Sequence, residues 1–141
     1  MVSASDLNLS SVRSRVIKER PDWTSEYADK VDVEYRRWLQ MCSEMDKHNI
    51  PELKLFSKHV DDFWHNHVLF TEKYMNECDQ IAGRYLHHQP ADDNDTSSRE
   101  ADALVFTAYY TKLFGEYPSD IWKMHKTPKC GCSCKCGSAN Q

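Results

Sequence analysis

The C-terminal segment carries cysteines at every second position, and these are Cys130, Cys132, Cys134 and Cys136. Thiolates are soft ligands that bind zinc or copper(I). Lys129 precedes Cys130 and Lys135 lies between Cys134 and Cys136, and such neighbouring lysines favour the thiolate by lowering the thiol pKa. The small residues between the cysteines let the chain wrap closely around an ion. The pattern therefore predicts thiol chemistry, with a soft metal as the expected ligand.

This spacing resembles that of metallothionein more than that of a zinc finger, which uses two separated pairs of ligands. Other interpretations remain open. The segment could be a redox element, although a disulfide between cysteines two positions apart is geometrically tight. It could also be the substrate of a modifying enzyme, as in a peptide precursor, or a tail without a function.

A second group of candidate ligands lies in the middle of the chain, where nine residues contain His59, Asp61, Asp62, His65 and His67. In a helix, Asp61 and His65 share a face, and such a carboxylate can hold an imidazole in one tautomer. His65 and His67 are two positions apart, which is roughly 200° around a helix. They can bind one ion together only if the helix ends near Asn66.

About twenty residues later, His87 and His88 are adjacent in a segment that we expect to be extended, so they point in opposite directions. A candidate divalent site therefore combines one residue from each of three pairs, which are His65 or His67, His87 or His88, and Asp61 or Asp62. This set of nitrogen and oxygen ligands suits zinc or iron(II). Alternatively, His67 packs in the core and Asp61 with His65 stabilises a helix, or these two act as a general acid and base without an evident nucleophile.

The elements that must position these groups are helical. Apolar residues recur at steps of three and four and predict helices over 10–20, 24–47, 57–68, 71–82 and 98–114. No segment alternates with period two, so we expect an all-α bundle of four to five helices over residues 1–122. Cys42 and Cys78 occupy apolar helical positions and are expected to be buried. Residues 123–141 form a basic, Cys-rich tail with too few apolar side chains to order itself without a metal.

Composition narrows the class of protein. The 141 residues include 18 basic and 22 acidic side chains, and this net charge of −4 argues against a general nucleic-acid-binding surface. No apolar run approaches the roughly 20 residues of a membrane helix, and the first residues do not read as a secretory signal. We therefore expect a cytoplasmic protein with reduced or metal-bound thiols.

An ordered series of residues resembles the glycine-rich domain-containing protein-like family, particularly its short bacterial members. The series spans about 51–122 and comprises Val60, Asp61, Trp64, His65, His67, Thr71, Tyr74, Cys78, Gly83, Arg84, His87, His88, Pro90, Phe114, Gly115 and Pro118. The long glycine-rich extension of the plant members is absent. The resemblance implies no settled activity, but it does imply that Asp61, His65, His67, His87 and His88 form one site.

The leading hypothesis is a metal-binding helical protein, in which histidine and aspartate form an ordered site and the cysteines a mobile one. A small metalloenzyme or thiol-redox protein that uses Asp61, His65 and His67 is the second hypothesis. The third is a non-enzymatic interaction module with purely structural histidines. The expected partners are a metal ion and a protein that contacts the C-terminal tail.

Overall fold

The computed structural model describes residues 2–90, 98–122 and 133–135. It confirms the helical fold class. The helices are α1 (Ser10–Glu19), α2 (Ser25–Glu44), α3 (Lys58–Leu69), α4 (Thr71–Ala82) and α5 (Arg99–Phe114), with short 3-10 helices at Ala4–Asp6 and Met45–His48. None of the helices in these ranges is long and apolar enough to cross a bilayer.

The helix ends follow local rules. The side chains of Thr24, Ser57 and Ser98 accept a hydrogen bond from a backbone N–H in the first turn of α2, α3 and α5. Gly83 and Gly115 end α4 and α5 in the left-handed conformation, with φ of 71° and 73°. The long second helix is shorter than predicted, because α2 ends at Glu44 and a 3-10 helix continues to His48.

The core is rich in aromatic side chains. Trp38 on α2 packs against Trp64 on α3 and Phe106 on α5, with ring centroids 5.4 and 6.4 Å apart. Trp122 contacts both Trp38 and Phe106 and is fully buried, so the packed body extends to the end of the second described range. α2 contacts each of the other four helices and is therefore the central element of the bundle.

The sequence predicted no strand, yet two short ones form. β1 (Glu52–Lys54) pairs in antiparallel fashion with β2 (Ser133–Lys135), and Leu53 stands opposite Cys134. On its other side, Ser133 exchanges two backbone hydrogen bonds of 3.0 Å with Gln89. The segment Ser133–Lys135 therefore lies in a slot between two parts of the helical body, and we call this the tail slot.

Candidate functional site

His67 is part of a buried hydrogen-bond network. Its Nδ1 bonds with the hydroxyl of Tyr35 at 2.7 Å and its Nε2 with the carboxylate of Glu77 at 2.7 Å. Lys73 in turn donates to Glu77 at 2.9 Å. Burial lowers the pKa of His67, although the Glu77 carboxylate opposes this shift. Both ring nitrogens are thus engaged inside the fold, which is the arrangement of a structural histidine.

Asp61 bonds with His88 instead of stabilising its helical neighbour His65. The distance from Asp61 Oδ1 to His88 Nε2 is 2.8 Å, and the imidazole packs on Trp64 with centroids 4.2 Å apart. His65 is exposed, with its ring 6.4 Å from that of His88. Because α3 continues past His67 to Leu69, His65 and His67 face different surroundings, and the required helix end near Asn66 does not occur.

The remaining candidates lie apart from this pair. His87 is exposed and contacts the ring of Tyr85. Asp62 forms an ion pair with Arg20, and the Nδ1 of His59 bonds with the hydroxyl of Tyr27 at 2.6 Å. Across residues 2–90, 98–122 and 133–135, no three His, Cys, Asp or Glu side chains form a group that could hold a metal ion. The structure therefore brings Asp61 and His88 together but not the whole predicted cluster.

Three cysteine side chains, by contrast, are buried in the core. Cys42 and Cys78 are buried, as their helical positions predict, and Cys134 joins them from the tail slot. All three side chains belong to one cluster of buried core residues. Cys130, Cys132 and Cys136 lie outside the described residues.

Burial sets the chemistry of these thiols. It raises the pKa of Cys42 well above its usual value, since a thiolate is poorly solvated in the core, and Arg84 only partly offsets this. Burial also raises the pKa of Cys78 to about 11, against the opposing hydrogen bonds from Leu86 and Tyr74. Cys42 and Cys78 are therefore protonated at neutral pH and unreactive.

Polar contacts hold the tail segment around the buried thiol. The Ser133 hydroxyl donates to Glu52 at 2.7 Å, and Ser133 and Cys134 are 2% and 0% exposed. Sequence patterns do not predict this site. A three-residue strand is too short to show alternation, and its pairing partners lie some 45 and 80 positions away in the chain.

The fold and the pairing of β1 with β2 define a helical-bundle protein that docks a C-terminal segment as a strand. The chain belongs to the UCP032817-like family, whose sequence profile matches residues 6–114. The resemblance to the glycine-rich domain-containing protein-like family is therefore wrong, since it rested on short motifs while the profile spans most of the body. No curated protein and no solved structure is significantly similar to the chain.

Proposed function

We propose that this protein binds a soft metal ion, zinc or copper(I), through the thiols of its C-terminal segment, and that the helical body docks this segment when the metal is absent. This proposal concerns metal binding and includes no catalytic step. The observation that carries the proposal is the buried position of Cys134. One cysteine of the repeat packs in the core of the helical body, so the body can control whether that cysteine binds a metal.

The distribution of candidate ligands favours thiol over imidazole chemistry. His67 forms hydrogen bonds with Tyr35 and Glu77, and Asp61 forms one with His88. His67 and His88 therefore have structural partners that a metal would have to displace. For the cysteines, the ligand type matches a soft metal, and the strict spacing in the sequence places several thiols within reach of one ion.

Docking and metal binding compete for Cys134. In the slot the Cys134 side chain is fully buried in the core, so a metal ion has no access to its sulfur there. A metal that recruits all four tail thiols must draw Ser133–Lys135 out of the slot. The apparent affinity is then lowered by the fraction of molecules in the docked state. The proposed function is thus metal binding by the C-terminal segment, with the helical body controlling how much of that segment is released to bind the metal.

Metal uptake by the untagged full-length protein tests this proposal. Zinc and copper(I) would be titrated separately, with bound metal measured by mass spectrometry and thiolate coordination by ultraviolet absorption. We expect the variant C130S/C132S/C136S to lose tight binding, and H65A/H88A to retain it because these imidazoles are not ligands. Wild-type protein that takes up neither metal would refute the proposal, as would undiminished thiolate binding in the triple variant.

A further inference from the structure

Residues of the helical body form both sides of the tail slot, and the C-terminal segment fills it. β1 lies on one side, and the backbone of Gln89 lies on the other, where it exchanges two hydrogen bonds of 3.0 Å with Ser133. Residues 123–132 separate Ser133 from Trp122, which packs in the helical core. The docked segment therefore resembles a short peptide ligand that a receptor binds by strand addition.

Side-chain contacts select what the slot accepts. The Ser133 hydroxyl donates to the Glu52 carboxylate at 2.7 Å, and Cys134 is fully buried opposite Leu53. Lys135 is exposed and stands opposite Glu52 in the strand pair, a position at which opposite charges attract. The slot therefore favours an extended segment with a hydroxyl residue, a small apolar residue and a basic residue in succession.

We propose that the tail slot is a binding site for an extended segment of a partner protein that presents a hydroxyl, a small apolar and a basic side chain in succession, and that the chain's own tail is a competing ligand. The partner segment adds as a strand between β1 and Gln89. This site goes beyond metal binding, because it gives the slot a function of its own. Under the function proposed above, a metal that draws the tail out also opens the slot to the partner.

Competition with the tail decides when the partner binds. Because the tail belongs to the same chain, it reaches the slot without diffusing from solution, and the partner binds only to molecules whose tail is released. Burial of an unpaired charge at position 134 is strongly disfavoured. Cys134→Asp and Cys134→Arg should therefore each release the tail, and both substitutions leave β1 and Gln89 unchanged.

Both full-length variants provide a vacant slot for a binding test, which is carried out with a chelator and a reductant present. The probe is a synthetic peptide spanning 129–137, with serine at positions 130, 132 and 136 and alanine at position 134. Two-dimensional NMR of the isotopically labelled protein detects even weak binding through shifts of the backbone amide signals. We expect shifts at Glu52–Lys54 and Gln89, and an apparent affinity at least about tenfold higher than that of the wild type.

Two altered peptides serve as controls that leave the protein unchanged, so they do not depend on how a variant folds. A peptide with aspartate at position 134 should not bind, because its charge cannot enter the core. Methylation of the backbone nitrogen at position 133 removes the N–H that donates to the Gln89 carbonyl oxygen. This change should weaken binding about fivefold.

Substitutions at Gln89 locate the peptide on the protein. Adding Gln89→Pro to Cys134→Asp should weaken binding to a similar degree, whereas adding Gln89→Ala should leave the affinity unchanged. The proposal would be overturned by undetectable binding to both vacant-slot variants at millimolar peptide, or by equal affinities of these variants and the wild type. Equal binding of the alanine and aspartate peptides would also overturn it. Because the titration contains a chelator, a failure of the tail to bind metal leaves these outcomes unaffected.

Discussion

Leu53 and Cys134 stand directly opposite each other across the antiparallel pair of β1 and β2, and both side chains are buried. Their backbones belong to the strand pair of the tail slot, and their side chains pack in the hydrophobic core. Docking of the tail therefore combines strand hydrogen bonds with the burial of an apolar thiol. Because these contributions are few, a single change in the slot should shift the docking equilibrium measurably.

The substitution Gln89→Pro should release the tail. Proline lacks the N–H that donates from Gln89 to the Ser133 carbonyl oxygen at 3.0 Å. A lost hydrogen bond of this kind is worth about 1 kcal/mol, which corresponds to roughly fivefold more of the released state. The labelling rate of Cys134 by a thiol reagent, measured in C130S/C132S/C136S, should rise accordingly. Gln89→Ala keeps the N–H and should label at the parental rate, so equal acceleration by both substitutions would contradict the slot.

The same pair of substitutions should change metal affinity in the otherwise unaltered chain. If docking withholds Cys134, its release removes a penalty on binding, and the apparent dissociation constant for zinc should fall by up to about fivefold in Gln89→Pro. Gln89→Ala should bind as the wild type does. A competition titration with a chromophoric chelator measures the difference. Unchanged or weaker binding by the proline variant would show that docking and metal binding do not compete.

His67→Ala should destabilise the fold without altering metal uptake. The substitution leaves a cavity and deprives the buried Tyr35 hydroxyl and Glu77 carboxylate of a partner, which should cost about 2–4 kcal/mol of unfolding free energy. Urea denaturation followed by tryptophan fluorescence measures this cost. The exposed neighbour provides the control, since His65→Ala should change stability by less than about 0.5 kcal/mol. Loss of metal without loss of stability in His67→Ala would instead support a histidine site.

Stability should also depend on pH through His67. Its pKa in the folded state lies below the value of 6.5 for the free side chain, because burial disfavours the imidazolium. The unfolded chain therefore binds more protons below pH 6.5, and the unfolding free energy should fall as the pH drops from about 6.5 through the folded-state pKa. Glu77, Lys73 and Arg36 face the ring and modulate the effect. In His67→Ala the slope over this range should be smaller, and an identical slope would count against this origin.

Glu34 should be a structural carboxylate. Tyr110 and Trp122 both donate to its Oε1, at 2.6 and 2.9 Å, in a buried setting. Glu34→Ala leaves both donors without this acceptor and should cost about 2–4 kcal/mol of unfolding free energy. Glu116 is a matched control, because Glu34 and Glu116 both form an ion pair with Arg37 but Glu116 is mostly exposed. Glu116→Ala should cost under about 1 kcal/mol. Thermal and urea denaturation measure both variants. An equal loss of stability in Glu34→Ala and Glu116→Ala would contradict the structural role of Glu34.

Much of the fold could be predicted from local patterns. Apolar spacing identifies the five helices, and capping residues such as Thr24 and Gly83 mark their ends closely. The apolar pattern extends the predicted second helix to residue 47, whereas α2 ends at Glu44 and a 3-10 helix continues to His48. The strand pair could not be predicted, since each strand has three residues and gains its hydrogen bonds only from a remote segment.

The candidate sites show the same division. Residue type and spacing alone established that the chain carries a thiol repeat and a histidine-rich segment, and that Cys42 and Cys78 face the core. Only the tertiary structure decided that His67 bonds with Tyr35 and Glu77, that Asp61 bonds with His88, and that Cys134 is buried in the core. Helical periodicity is a local property of the backbone, whereas the partner of a side chain depends on how distant segments pack.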